Sequence, residues 1–155
     1  MPCFFDIETD GLHEDAKITC AVTTSNVETR YWHSNYESFM TQQDLILLLD
    51  YLCSQDIVVT FNGAHFDFKV LYYCTLDTRA IVLAQKHLDI CFCFAVDKGY
   101  FTSLNSFMLG SGITGKNGSG FDAIQAWLQG DKTQKDDILE YCENDVRCLK
   151  DLYNL

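Results

Sequence analysis

The sequence predicts an α/β domain on a mixed β-sheet, with a three-strand antiparallel meander, added parallel strands and flanking helices. Three observations carry this. The first 33 residues form apolar runs of strand character separated by turn residues. A dense β-branched run at 57–61 then follows a stretch of helical period. Near its end the chain carries a long amphipathic stripe.

Each element has its own warrant. Residues 3–7 read as a strand, and Asp10-Gly11 as a turn after it. Residues 18–24 are β-branched or small and form a second strand; Asn26 marks a turn, and 27–33, with Tyr31 and Trp32, a third. From 38 to 52, Phe39, Leu45, Leu48, Leu49 and Leu52 recur at helical spacing, with Thr41 and Asp44 placed as a cap inside the stretch. The run 57–61 ends at Asn62-Gly63, and its apolar density predicts a central strand buried on both faces, parallel to the first. Phe68, Leu71 and Tyr72 give a helix over 67–74. Residues 88–96 fit a strand or a helix, and the reading adopted is a strand start at Leu88 with a helix after it. A short helix over 103–109 has Ser103 as its cap. Five glycines between 110 and 120 make a loop, 122–128 a short helix, and 135–153 the strongest helix, striped by Ile138, Tyr141, Val146, Leu149 and Leu152.

Length and composition set the class. With 155 residues, a single domain over 1–155 is expected. Hydrophobic residues at 48% and charged residues at 21% exclude disordered and fibrous classes. The apolar run 45–49 falls far short of the ~20 residues of a membrane span, and Asp6 and Glu8 interrupt any signal-peptide pattern. A cytoplasmic or nuclear chain in a reducing compartment, with no membrane partner, is expected. Twenty-two acidic against 11 basic side chains give a net charge of −11. That disfavours a tight non-specific duplex binder, but suits an enzyme that offers carboxylates to cations. The eight Cys include no C-x-x-C pair, so free, mostly buried thiols are expected, not zinc or disulfides. Cys91 and Cys93, two apart on a strand, read as core filler.

Candidate chemistry lies in three segments. In FDIETDGL, Asp6 and Glu8 are two apart on a strand and leave the same face, which is costly unless positive charge sits between them. Asp67 follows the buried run in FNGAHFD, where a helix begins. Tyr141 and Asp145, four apart in YCENDVRCL, share one helix face. Four carboxylates on these elements are an oxygen-rich set of the kind that suits Mg²⁺ or Mn²⁺, and two such ions can clamp a phosphodiester.

The ordered segments D-x-E, N-x-x-x-F-D and Y-x-x-x-D, on Asp6, Glu8, Asn62, Phe66, Asp67, Tyr141 and Asp145, resemble the three motifs of the DEDD superfamily of 3′–5′ exonucleases. That superfamily includes polymerase proofreading domains and has an RNase H-like fold. SLNSFMLG, from Ser103, is similar to its stretch between the second and third motifs. One branch has His five residues before the last Asp, where Glu140 stands here; the other has Tyr four before it, as at Tyr141. The chain is thus similar to the tyrosine branch, DEDDy.

The resemblance implies a catalytic set of Asp6, Glu8, Asp67, Tyr141 and Asp145, with two divalent cations, Mg²⁺ or Mn²⁺, on the four carboxylates. Asp6 would bridge both ions, Glu8 and Asp145 complete one site, Asp67 hold the other, and Tyr141 orient the attacking water. Thr9, Leu12, Asn62 and Phe66 are the implied substrate contacts. Leu12 would wedge against the terminal bases. Phe66 either packs beside a nucleotide or anchors the core, and Asn62 either steadies the second motif or touches substrate. His65 has no family role and is expected to be solvated. Asp89 is an outer contact, and the 115–118 tip a plain connector or a phosphate contact. The implied function is a free-standing exonuclease that acts on single-stranded 3′ ends, DNA in the first instance, and releases nucleoside 5′-monophosphates. The alternatives are trimming of RNA 3′ ends and a catalytically idle polymerase-associated subunit. Implied partners are single-stranded DNA or RNA 3′ ends and a polymerase or replication protein.

Overall fold

A computed structural model describes residues 1–13, 15–114 and 120–155. Five strands form one sheet: β1 (Pro2–Thr9), β2 (Ile18–Thr24), β3 (Thr29–Trp32), β4 (Ile57–Thr60) and β5 (Leu88–Asp89). Their order is β3-β2-β1-β4-β5. The meander β1–β2–β3 is antiparallel, whereas β4 and β5 add in parallel. The helices are α1 (Gln42–Cys53), α2 (Asp67–Thr75), α3 (Arg79–Lys86), α4 (Ile90–Lys98), α5 (Leu104–Gly110), α6 (Gly120–Gln129) and α7 (Lys132–Tyr153). The mixed α/β architecture is the expected one. No described helix is long and apolar enough to cross a membrane.

The sheet separates two apolar layers. Cys3, Phe5 and Ile7 of β1 pack with Leu45, Leu48, Leu49 and Leu52 of α1 and with Phe68 and Leu71 of α2. Phe4 faces the other way, onto Cys142, Val146 and Leu149 of α7. Val58 and Val59 divide β4 between the same two layers, so this strand is buried on both faces as its density predicts. Each fully buried Leu contributes about 1.5–3 kcal/mol over an exposed one, and tertiary packing of this kind supplies most of a helix's stability. Under α6, Trp127 is fully buried and donates its indole N–H to the carbonyl of Ser38 at 2.9 Å.

Several elements differ from expectation. Helix α1 starts at Gln42, not 38, because Thr41 is its N-cap and accepts from the N–H of Asp44. The Asp44 carboxylate in turn accepts from the hydroxyls of Ser34 and Thr41, which fixes the entry. Helix α3 was not expected; Arg79, at its start, pairs with Asp77 (2.8 Å) and Asp50 (2.5 Å), and Ala80, Leu83 and Ala84 form its apolar face. Cys91 and Cys93 lie on helix α4, not on a strand, because Asp89 caps that helix by accepting from Phe92 N–H. Two residues apart on a helix point to different sides, so Cys91 is buried and Cys93 exposed. All eight Cys are free, five of them buried. Helix α7 gains a turn through a capping box between Asp131 and Gln134. Gly110 and Gly120 belong to α5 and α6, and the tip at 115–118 lies outside the described residues.

The β4–α2 turn sets the position of the second motif. Asn62 has φ +65°, an uncommon value that Asn tolerates. The N–H of Gly63 donates to Thr60 Oγ1 at 3.1 Å in a buried contact. A Cβ on Gly63 would overlap the Thr60 side chain, meeting its Cβ at 2.7 Å. Gly63→Ala should therefore destabilise the fold by about 1–3 kcal/mol, the range for an overpacked interior. Thermal melting checks it, and an unchanged melting temperature would show that Thr60 moves aside freely.

Candidate active site

The parity of β1 builds the first wall. Asp6 and Glu8 continue the face of Phe4, and in register they oppose Val22 and Cys20 of β2. The pairing shifts between Glu8 and Thr9, where the strand ends. Thr9 is buried, and its hydroxyl donates to the carbonyl of Gly11 at 2.6 Å, turning the chain toward Leu12. Leu12 stands 88% exposed at the rim.

The turn after β4 builds the second wall. Asp89, at the end of β5, accepts from Asn62 N–H (2.8 Å), Ala64 N–H (3.2 Å) and Phe92 N–H (3.3 Å). It is thus a structural anchor of the turn, whereas the sequence suggested an outer contact. Burial alone would raise its pKa, but the His87 ring, 3.7 Å away, and these backbone bonds outweigh it and hold the carboxyl below the usual range. The turn delivers Asp67, 4% exposed, to the first residue of α2.

Helix α7 closes the site. Asp145 is buried beside Val146, and Tyr141 packs against the cluster around Trp127. Glu140 lies on another flank of α7, in a separate hollow with Tyr31 and Arg147.

These elements bound a cleft of about 870 Å³. It is lined by all nine residues singled out from the sequence: Asp6, Glu8, Thr9, Leu12, Asn62, Phe66, Asp67, Tyr141 and Asp145. Ile124 and Gln125 of α6 line it as well, and sequence reasoning missed both. Helical spacing from the buried Ala123 and Trp127 was the signal available.

The donors fit a hard divalent cation. Among the described residues, the one group of three whose ligand atoms lie within 4.8 Å of one another is Asp6, Glu8 and Cys142. Asp67 and Asp145 share the cleft but fall outside that group. The Cys142 thiol donates to the backbone carbonyl and to a carboxylate oxygen of Asp6, both at 3.6 Å. Burial first, then neighbouring Cys20 and the charges of Asp6 and Glu8, push its pKa well up. The two carboxylates of the group are hard oxygen donors, the chemistry that suits Mg²⁺ or Mn²⁺.

Burial pushes Asp67 up to about 7 from 3.8, with the charge of Asp89 adding to it, against the opposing pull of its own and Ile7's backbone N–H groups and of His87. A carboxyl raised in the folded state stabilises the fold least when ionised, so this group's contribution falls as pH rises from about 4 through about 7. Asp67→Asn removes that penalty. In EDTA its stability relative to the wild type should increase by about 2–3 kcal/mol between pH 5 and pH 8, at ~1.4 kcal/mol per unit. Denaturant titrations at both pH values test this, and a pH-independent difference would show that Asp67 is ionised throughout.

Comparison with known proteins agrees with this fold. No curated protein sequence matches the chain. Among solved structures, the family B DNA polymerase from the hyperthermophilic archaeon Pyrobaculum calidifontis superposes with a TM-score of 0.72 at 14% identity, covering 99% of this chain and 24% of the polymerase. A product-bound exonuclease I superposes at 0.52 with 13% identity, covering 90% of this chain and 45% of that one. The zinc-bound E. coli exonuclease I–single-stranded DNA complex also gives 0.52, at 15% identity, with 90% and 42% covered. The chain therefore spans about a quarter of the polymerase and under half of exonuclease I, and the likeness is one of fold. The RNase H superfamily profile matches residues 3–155. With a mixed sheet flanked by helices, the chain belongs to the RNase H superfamily.

Proposed function

We propose that this domain is a 3′–5′ exonuclease of the DEDDy type, acting on single-stranded 3′ ends, DNA in the first instance. The observation that carries the reading is the convergence of all three sequence motifs on one cleft. The likeness to exonuclease I, seen in one structure with single-stranded DNA, and to a DNA polymerase favours DNA over RNA as substrate. A polymerase or replication protein is the corresponding class of partner.

Asp6 and Glu8 would hold a divalent cation, with Asp145 and Asp67 completing two sites around the same cleft. Bound cations of this kind supply a nucleophile at neutral pH and offset the charge on a transferring phosphate. The chain's own residues do the rest. Tyr141, beside the carboxylates on α7, orients the attacking water through its hydroxyl. Tyr141 serves here and Glu140 does not, because Glu140 occupies the other hollow. Leu12, exposed at the rim, wedges against the terminal base. Asn62 and Phe66 bound the position of the last nucleotide. Thr9 shapes the rim, since its hydroxyl is committed to Gly11. Cys142 orients Asp6 from behind.

Oligonucleotides labelled at either end test the assignment. Shortening should proceed from the 3′ end, require Mg²⁺ or Mn²⁺, and vanish in Asp6→Ala and Asp145→Ala proteins that remain folded. Wild-type rates in either variant, or earliest loss of a 5′ label, would refute it. Tyr141→Phe should keep Mn²⁺ affinity and lose up to about 10²-fold in rate, the low end for general-base and positioning groups. Loss of Mn²⁺ binding in that variant would assign Tyr141 a structural role instead.

A further inference from the structure

Sulfur stands directly behind the carboxylates of β1. Cys142 of α7 is fully buried, and it packs with Phe4, Val22 and Val146. Its Sγ is 3.6 Å from a carboxylate oxygen of Asp6, and the ligand atoms of Asp6, Glu8 and Cys142 all lie within 4.8 Å of one another. Cys20, which opposes Glu8 in register, is buried close by but falls outside that group. A tetrahedral divalent ion with metal–sulfur bonds of ~2.3 Å and metal–oxygen bonds of ~2.1 Å holds sulfur and oxygen ~3.6 Å apart. The S–H that now points at Asp6 therefore spans the gap that such an ion bridges.

Ligand softness divides the cations that can use this group. Mg²⁺ and Mn²⁺ prefer carboxylate, carbonyl and water, so they take the oxygens and leave the thiol alone. Zn²⁺ and Cd²⁺ bind thiolate, and an ion of that kind gains from all three donors. The surroundings of Cys142 are apolar, so a bare thiolate there is costly, whereas one bound to a cation is compensated. Asp6 and Glu8 line the cleft, which gives an ion its way in to the sulfur behind them.

We infer that the Cys142 thiol is the third ligand, with Asp6 and Glu8, of an inhibitory site for thiophilic divalent cations of the zinc and cadmium class. The ion takes the place of the thiol proton, which leaves to solvent, and no electron is transferred. Asp67 and Asp145 stand outside this donor set. On the nuclease reading above, an ion held by sulfur competes with Mg²⁺ or Mn²⁺ for Asp6 and Glu8. Traces of a thiophilic metal then switch the domain off while Mg²⁺ is abundant.

The test uses the full chain carrying Cys53→Ser and Cys93→Ser, which removes the two exposed thiols. Cd²⁺ is added without chelator, and the ultraviolet thiolate-to-cadmium absorption is followed. One equivalent should raise that band, a large excess of Mn²⁺ should suppress it, and Cys142→Ser in the same background should lack it. Against a zinc-chelating dye, Cys142→Ser should bind Zn²⁺ more than about 10-fold more weakly, since losing even an outer partner of a ligand costs that much, and its Mn²⁺ affinity should change less. No band, a band indifferent to Mn²⁺, or one that survives in Cys142→Ser would overturn the site. If Cys142→Ser does not fold, as circular dichroism would show, suppression by Mn²⁺ in the parent protein decides. Labelled oligonucleotides with Mg²⁺ are run in parallel, each protein scored against its own Mg²⁺ rate. Half-inhibition of the parent should need more than about 10-fold less Zn²⁺ than that of Cys142→Ser, and equal sensitivity would also overturn the proposal. Cleavage with no cadmium band overturns the thiol site alone. A band that Mn²⁺ suppresses, with no cleavage under any cation, overturns the nuclease and leaves the metal site standing.

Discussion

The side-chain alternation of β1 is the constraint on which the rest of the structure depends. A strand sends successive residues to opposite faces, so one parity must serve one core and the other parity the second. Cys3, Phe5 and Ile7 satisfy the layer beneath α1 and α2, and Phe4 satisfies the layer beneath α7. Asp6 and Glu8 inherit the α7 face because they share the parity of Phe4. A one-residue slip of β1 against β2 would bury both carboxylates among leucines and turn three core residues onto the α7 face. Core and site thus enforce a single register, and the position of the carboxylates follows from hydrophobic packing.

That arrangement stores unfavourable charge. Asp67 is pushed up to about 7 by burial and by Asp89, and Cys142 keeps its proton beside Asp6. The fold could have placed apolar residues at these positions at lower cost, since removing charge from an interior is often neutral or stabilising. A cost of this kind is retained where cations or substrate offset it. It is compatible with stability because apolar layers lie on both sides of β1 and Leu48, Leu49 and Leu52 are fully buried.

Local pattern made much of this legible from residues alone. Strand parity placed Asp6 and Glu8 together, the density of 57–61 marked a central strand, and four-residue spacing aligned Tyr141 with Asp145. The motif resemblance supplied Leu12, Asn62 and Phe66, which line the same cleft. What escaped depends on contacts between distant segments. The cap at Thr41 was legible, but the grip of the Ser34 hydroxyl on Asp44 was not, and apolar periodicity alone overran the start of α1 by four residues. The strand start at Leu88 with a helix after it was legible, but not that the cap at Asp89 ends the strand before Cys91 and Cys93 and puts both on the helix. Helix α3 did carry a signal, the spacing of Ala80, Leu83 and Ala84, but it is short and exposed on most of its surface. Ile124 and Gln125 reach the cleft only because Trp127 docks α6 onto the carbonyl of Ser38, a contact across 89 positions.

Asp89 shows how the two halves of the site become one rigid unit. Its strand, β5, is only two residues long and pairs only with β4. Yet the one carboxylate accepts from Asn62 and Ala64 on the turn that forms the cleft and from Phe92 in the first turn of α4. The helix it caps leads into the segment that carries Phe101. His87, buried and edge-on to Phe68, adds its ring 3.7 Å from the same carboxylate. Without this carboxylate, three backbone donors at partly buried positions would lose their acceptor, at about 1–3 kcal/mol for each that water cannot reach. The turn bearing Asp67 and helix α4 would then lose their shared acceptor. One buried anion thus ties the turn that carries the second motif to the first turn of α4.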